Sequence, residues 1–436
     1  MNEPVSPPTS GSKPAPDAPV ADEEHTITVV DRKISVLFGV ITLALGAAVL
    51  FGSQEGETTF RLGSRRDFFQ LPEITVPSSG TAWVMVAVMV ACTAEAVRRY
   101  VSERRTPLWL SVVFAVVALT GFLSWAAAGG TIPMVGLLGG ALALAVPLVF
   151  GALGGVLGER AGVVNIAIDG QLLAGAFAAA IVGSLTSSVL GGLAGAMFAG
   201  ALVGLLLAVF AVSYYVDQII VGVVLNVLVI GLTSFMFSQV LAPNAETLNA
   251  PPRMGTLRIP GLSEIPLLGP VLFNQSPIVY VLYVAVAVVT WGLYRTRWGL
   301  RLRSVGEHPK AADTVGIKVN RTRFRTILLA GAIAGLGGAF YTMVSAQAFN
   351  REMTGGAGYI ALAAVIFGKW DPIRATLAAL LFGFASNLQG VLSVLGSPVP
   401  SQFMLMLPYV VTIFAVAGLV GRSRPPAAVG LPYRKA

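Results

Sequence analysis

The chain has 436 residues, of which 55% are hydrophobic and only 11% charged, with 49 glycines and a mean hydropathy of +0.78. Soluble domains carry about 25% charged residues, so a water-soluble globular enzyme is excluded and a polytopic membrane protein is expected. A single cysteine, Cys92, and two histidines, His25 and His308, exclude an intrachain disulfide, a cysteine-held cluster and a histidine-based metal site.

In chain order, residues 1–33 are rich in Pro, Ser, Ala and acidic side chains and have no apolar period, so a disordered tail is expected. No basic segment opens it, which argues against a signal peptide. A membrane crossing needs about 20 mostly apolar residues. That rule places spans at 34–52, 81–97, 108–128, 134–157, 171–188, 190–213, 218–241, 277–294, 326–346, 375–394 and 403–421. The apolar stretch 358–368 is too short to span comfortably and reads as a half-helix or re-entrant element shielded by the bundle; counted as one crossing, it makes the total even and returns the C-terminus to the side of the N-terminus. The fold class is therefore an all-α polytopic membrane protein of about 10–12 transmembrane helices, including one short broken or re-entrant element.

Charge orients the spans. The connections 98–106 and 295–325 and the tail 421–436 hold 4, 9 and 4 Lys/Arg, against 3 and 2 in the connections 52–80 and 242–276. By the positive-inside rule the first group is cytoplasmic and both termini lie inside. The connection 242–276 contains six prolines and reads as a semi-rigid external loop, serving either as a spacer or as a docking surface.

Two segments carry more polarity than their surroundings permit without a reason. Gly158-Glu159-Arg160-Ala161-Gly162-Val163-Val164-Asn165-Ile166-Ala167-Ile168-Asp169-Gly170-Gln171 places three charges and two amides between long apolar runs. Ionisable groups at membrane depth cost several kcal/mol unless paired or wet. Asn165 and Asp169, four apart, share one helical face, and Gly162 and Gly170 let the chain turn. These residues either line a cavity or make interhelical hydrogen bonds at a cytoplasmic helix end. In the second segment, Pro309 opens Lys310-Ala311-Ala312-Asp313 and Gly316 follows, the pattern of a short capped helix. A small alanine-faced helix suits a groove on a partner. A positive-inside anchor would account for the arginines but not for the helix.

These segments support a resemblance. Residues 158–171 look like the G-E-R-x-G-V-x-N-I-G-x-E-G signature of permease subunits of ATP-binding-cassette importers for nucleosides and simple sugars, a branched-chain-type permease family. Arg301 to Gly316 resembles that family's coupling loop, R-x-x-G-x-N-P-x-A-A-x-x-x-G-I. Asp217 to Asn226, and Gly358 to Ala363 running on to Lys369-Trp370-Asp371-Pro372, agree as well. The likeness covers roughly residues 133–421 and is closest in spelling to the nucleoside group. Three departures stand out: Asp169 where Glu is common, Ala167 where Gly is usual, and His308 where Asn is typical. His308 is read as a neutral replacement for that Asn.

The resemblance implies a domain plan of 1–33 as a cytoplasmic tail, 34–132 as three extra N-terminal helices with external loop 52–80, 133–421 as the permease core with coupling loop 295–325, and 422–436 as a basic cytoplasmic tail. It implies a substrate pathway involving Asn165, Asp169, Gly170, Gln171, Asn226 and Asn387. It implies ATPase coupling through Gly306, Glu307, His308, Pro309, Lys310, Ala311, Ala312, Asp313 and Gly316. No G-x-x-x-x-G-K-[ST] occurs, so the chain has no ATPase motif of its own. The expectation is a transport subunit rather than an enzyme, with no cofactor bound by this chain and ATP on partner subunits. Its expected partners are ABC ATPase subunits, a second permease subunit that is identical or related, an extracytoplasmic substrate-binding lipoprotein, and membrane lipid, without nucleic acid. The expected location is the bacterial cytoplasmic membrane and the expected substrate a nucleoside. The alternatives are a ribose-like sugar, or an ion-coupled secondary transporter that would use Asp169 or Glu95.

Overall fold

The computed structural model describes residues 32–52, 54–63, 71–396, 399, 402, 403, 406, 409 and 424–435. The expected disordered tail and the expected span at 403–421 fall wholly or largely outside them. Among the described residues, ten helices are long and apolar enough to cross a membrane.

The first three, α1 (Lys33–Phe51), α2 (Ser78–Val101) and α3 (Leu108–Ala126), form a bundle of their own. Phe38 of α1 stacks on Phe114 of α3 with ring centroids 3.9 Å apart. Strand β1 (Glu57–Arg61) pairs antiparallel with β2 (Ile74–Pro77) and parallel with β3 (Thr131–Pro133). This small sheet ties the trio to the start of α4 (Met134–Arg160). Glu95, considered above for ion coupling, instead pairs with Arg98 at 2.8 Å and Arg99 at 2.7 Å near the end of α2.

After α4 come α5 (Ile168–Thr186), α6 (Val189–Ala208) and α7 (Gln218–Met236). The short α8 (Ala245–Leu248) and α9 (Leu268–Phe273) and the strands β4 (Leu257–Arg258) and β5 (Asn274–Gln275) occupy the long connection that follows. Then come α10 (Pro277–Arg295), α11 (Arg297–Glu307), α12 (Pro309–Thr314), α13 (Val319–Phe340), α14 (Ala357–Phe367) and α15 (Pro372–Val394). Helices α6, α7 and α13 each end in one π-helical turn, at Val209–Ser213, Phe237–Leu241 and Tyr341–Ser345.

The core is held by backbone proximity. Lipid provides no hydrophobic drive between helices, so close packing through small residues supplies the attraction. A Cβ on Gly335 of α13 would collide with the Ala196 carbonyl of α6, and one on Gly200 with the Gly331 carbonyl. Buried side chains of α4, α13, α14 and α15 then fill the remaining space as one cluster. Leu388 and Leu392 of α15 and Leu137 of α4 pack with the N-terminal trio, joining it to the core.

Two differences from expectation are the largest. Helix α13 starts at Val319 rather than 326, because Arg321, Arg323 and Arg325 lower its hydropathy without interrupting its helix. The opening of the segment 295–325 is not a solvated loop but α11, which buries Leu302, Val305 and Gly306. On the face that carries the sheet, the proline-rich connection is anchored. Asn249 donates to the Phe349 carbonyl at 3.0 Å and accepts from the Phe349 amide at 2.6 Å, and the Met254 amide donates to the Met343 carbonyl at 2.9 Å.

Candidate functional site

The polar signature forms the turn between α4 and α5 on the face opposite the sheet. Gly162 adopts φ +86°, a left-handed conformation that glycine takes without steric cost. Beyond it the chain is held by amides. Gln218 accepts from the Val164 amide at 2.7 Å, and Asn165 and Gln171 exchange side-chain hydrogen bonds at 3.0 and 3.2 Å. Asn226 accepts from the Gly170 amide at 2.8 Å, and donates to the Ile166 carbonyl at 2.9 Å and to the Tyr359 hydroxyl at 3.0 Å.

Asp169 joins two helix starts. It lies in the first turn of α5, and its carboxylate accepts from the Gly358 amide in the first turn of α14 at 2.9 Å and from the Thr354 hydroxyl at 3.3 Å. A carboxylate at a helix N-terminus is stabilised by the aligned peptide dipoles, and here one carboxylate serves two of them. Asn165, Asp169, Gln171 and Asn226 are all buried. A Cβ at position 358 would collide with the Asp169 backbone, so the close approach of α14 to α5 requires glycine there.

The structure thus brings together Asn165, Asp169, Gly170, Gln171 and Asn226, with their polar groups bonded to one another and to the protein backbone. Asn387 does not join them. It donates to the Leu137 carbonyl at 2.7 Å, packing α15 on the first turn of α4 at the sheet end. Amide chemistry singled it out in the sequence, but its position along α15 places it elsewhere.

A second node lies at the end of α4. The Trp370 indole donates to the buried Glu159 carboxylate. Arg160 Nε donates to the Trp370 carbonyl at 2.9 Å, and its Nη1 lies 3.9 Å from Glu307. Lys369 and Trp370 have φ of 54° and 55°, an uncommon conformation outside glycine, in the reversal between α14 and α15. The motif Lys369-Trp370-Asp371-Pro372 was legible as part of the resemblance, but its partnership with Glu159 was not.

The third node projects from the same face. Helix α12 starts at Pro309 and is capped by His308, whose Nδ1 accepts from the Ala311 amide at 3.1 Å. The imidazole thus caps α12 through a side-chain acceptor at the position where Asn is typical. Gly316, at φ +83°, closes the turn after α12. Gly306 lies so close to the Arg160 carbonyl that a Cβ would collide with it. Lys310, Ala311 and Val315 are exposed, Asp313 is half-buried and Ala312 is buried. Beside them opens a cleft of about 1070 Å³, lined by residues including Trp298, Glu307, His308, Ala311, Val315 and Arg325. The coupling candidates Gly306, Glu307, His308, Pro309, Lys310, Ala311, Ala312, Asp313 and Gly316 therefore form one continuous projection. No group of three or more His, Cys, Asp or Glu able to hold a metal ion occurs among the described residues.

Residues 137–416 match the family described as branched-chain amino acid transport system, permease component. The guanosine ABC transporter permease protein NupQ of Bacillus subtilis is 42% identical over 303 residues, which cover 67% of this chain and 95% of that protein. The nucleoside ABC transporter permease protein NupC of Lactococcus lactis is 38% identical over 303 residues, 66% of this chain and 93% of its own length. An ABC transporter permease protein of Haloferax volcanii provisionally assigned to glucose is 33% identical over 308 residues, 66% of this chain and 92% of its own. No solved structure matches. The ten apolar helices, the polar turn at 158–171 and these matches lead to one conclusion: the chain belongs to this permease family, and is a membrane-spanning component of an ABC transporter rather than an enzyme.

Proposed function

We propose that the chain is a nucleoside-translocating permease subunit of an ABC importer, located in the bacterial cytoplasmic membrane with both termini inside. The observation that carries the substrate class is the 42% identity to a guanosine permease across 95% of that protein, with a nucleoside permease at 38%. The glucose-assigned relative is more distant, at 33%.

In this reading α12 and its cleft receive ATPase subunits, which supply the energy of ATP hydrolysis. A second permease subunit, identical or related, completes the pathway, and an extracytoplasmic binding lipoprotein delivers the solute. The domain plan follows: the trio 34–132 flanks a permease core at 133–421, outside the matched family region up to residue 136.

The pathway runs beside the polar turn. Asn165, Asp169, Gly170, Gln171 and Asn226 hold α5, α7 and α14 in register there. Tyr359, bonded to Asn226 through its hydroxyl and 48% exposed, presents a flat ring of the kind a nucleobase stacks on. Movement of α12 reaches this region through successive contacts: Gly306 abuts Arg160, Arg160 holds the 369–370 carbonyls, and that reversal ends α14. Asn387 braces the other end of α4.

The test is uptake of radiolabelled guanosine, uridine and ribose into liposomes containing the whole transporter. Nucleoside uptake that depends on ATP, with ribose excluded, is expected. Ribose uptake without nucleoside uptake sinks the substrate assignment.

A further inference from the structure

We infer that the C-terminal segment 424–435 is a clamp that fixes the orientation of α12, with Tyr433 as its positioning residue. The functional weight of this inference rests on reading α12 as the ATPase contact. The clamp itself does not.

The segment contains no helix or strand, yet it is fastened along its length. The Ala428 amide donates to the Gly306 carbonyl at 2.9 Å and the Ala427 amide to the Glu307 carboxylate at 3.2 Å, at the point where α11 gives way to α12. Arg323, 2% exposed, spreads its guanidinium over three carbonyls: Leu431 at 2.7 Å, Ala161 at 3.2 Å and Ala428 at 3.4 Å. One side chain of α13 thereby joins the C-terminal segment to the polar turn after α4. Tyr433 is buried with Val305, Ala312 and Val319, one residue each from α11, α12 and α13. Two cations finish the attachment. Lys435 Nζ lies 3.9 Å from Asp313 of α12, and Arg434 sits over the Tyr215 ring, 5.0 Å from its centroid.

This arrangement answers a physical need. Helix α12 has six residues, and helices shorter than about 12 are marginal on their own, so its direction must come from packing. Ala312 is its one buried residue, and Tyr433 belongs to the small cluster that buries it. A positive-inside anchor needs only basic side chains. It explains Arg434 and Lys435, but neither the buried phenol nor the backbone hydrogen bonds to Gly306 and Glu307.

The experiment compares Tyr433→Ala, Tyr433→Phe and Ala311→Glu in the full chain, assembled with its partner subunits in liposomes. The readouts are ATPase subunit retained, guanosine taken up per ATP hydrolysed, and amide hydrogen exchange across 309–316. Tyr433→Ala should retain the ATPase subunit, speed exchange in α12 about tenfold and lower guanosine uptake per ATP several-fold. Tyr433→Phe, which keeps the ring and loses only the hydroxyl's hydrogen bond to Asp313, should recover most of the exchange protection and of the uptake per ATP, a rescue that general misfolding would not show. Unchanged exchange in Tyr433→Ala overturns the clamp. Faster exchange with unchanged uptake per ATP overturns its role in coupling. Ala311→Glu that leaves ATPase retention intact overturns the docking reading alone, because the exchange measurement still decides the clamp.

Discussion

Replacing Asp169 separates a carboxylate that organises helices from one that handles solute. In the native site it accepts from the Gly358 amide at 2.9 Å and the Thr354 hydroxyl at 3.3 Å. Asp169→Asn keeps an oxygen for Gly358, and the Thr354 hydroxyl can rotate to accept from the new amide, so both hydrogen bonds survive. What is lost is charge assistance. Hydrogen bonds to charged groups contribute about 1.5–3 kcal/mol and neutral ones about 0.5–1.5. The favourable placement at the α5 and α14 termini, worth about 0.3–1 kcal/mol each, is lost as well. Asn also sheds the cost of burying a charge, which offsets part of these losses, so a destabilisation of roughly 2 kcal/mol follows. Asp169→Ala goes further, leaving the Gly358 amide unpaired in a buried site and opening a void, for about 3–4 kcal/mol. Thermal unfolding of the purified transporter and guanosine uptake are measured side by side. Both should fall in the order native, Asn, Ala. Native stability with abolished uptake in Asp169→Asn would refute this reasoning and assign the carboxylate to the solute. Native stability in Asp169→Ala would refute the two-helix junction itself.

Substitutions at two further positions probe the projection on the face opposite the sheet. Gly306→Ala places a methyl against the Arg160 carbonyl, and overpacking of this kind costs about 1–3 kcal/mol; ATP-dependent uptake should drop sharply, and native uptake would show that α11 and α4 need not touch. His308→Ala removes the cap of α12 at a cost of about 1 kcal/mol, whereas His308→Asn preserves an acceptor for the Ala311 amide. Guanosine uptake should therefore be impaired by Ala and retained by Asn, and equal behaviour of the two would dismiss the cap.

Hydropathy located the spans well because lipid leaves few alternatives to an apolar helix. It misjudged the start of α13, where Arg321, Arg323 and Arg325 lie on a continuous helix, and it missed α11, whose buried Leu302 and Val305 alternate with arginines. The cap at His308 and the turn at Gly316 were legible because capping is local in sequence. Glu159 and Trp370 are 211 positions apart and Arg323 and Leu431 are 108 apart, so no pattern along the chain joins them. Asn387 shows the opposite failure: residue type suggested a place beside Asn226, and only the helix register puts it against Leu137 instead. The C-terminal segment was read as a basic cytoplasmic tail, and nothing along the chain pointed to the burial of Tyr433 against Val305, Ala312 and Val319.

Helix α13 with its terminal π-turn runs 27 residues, Val319–Ser345, about 40 Å from end to end. It is tethered at both ends, by Arg323 to the polar turn and the C-terminal segment, and by the Met343 carbonyl to Met254 in the proline-rich connection. A rod tied in this way behaves as a lever. Tilting it at the face of the polar turn displaces the connection at the sheet face, so the two surfaces are mechanically linked through the most buried of the ten spans.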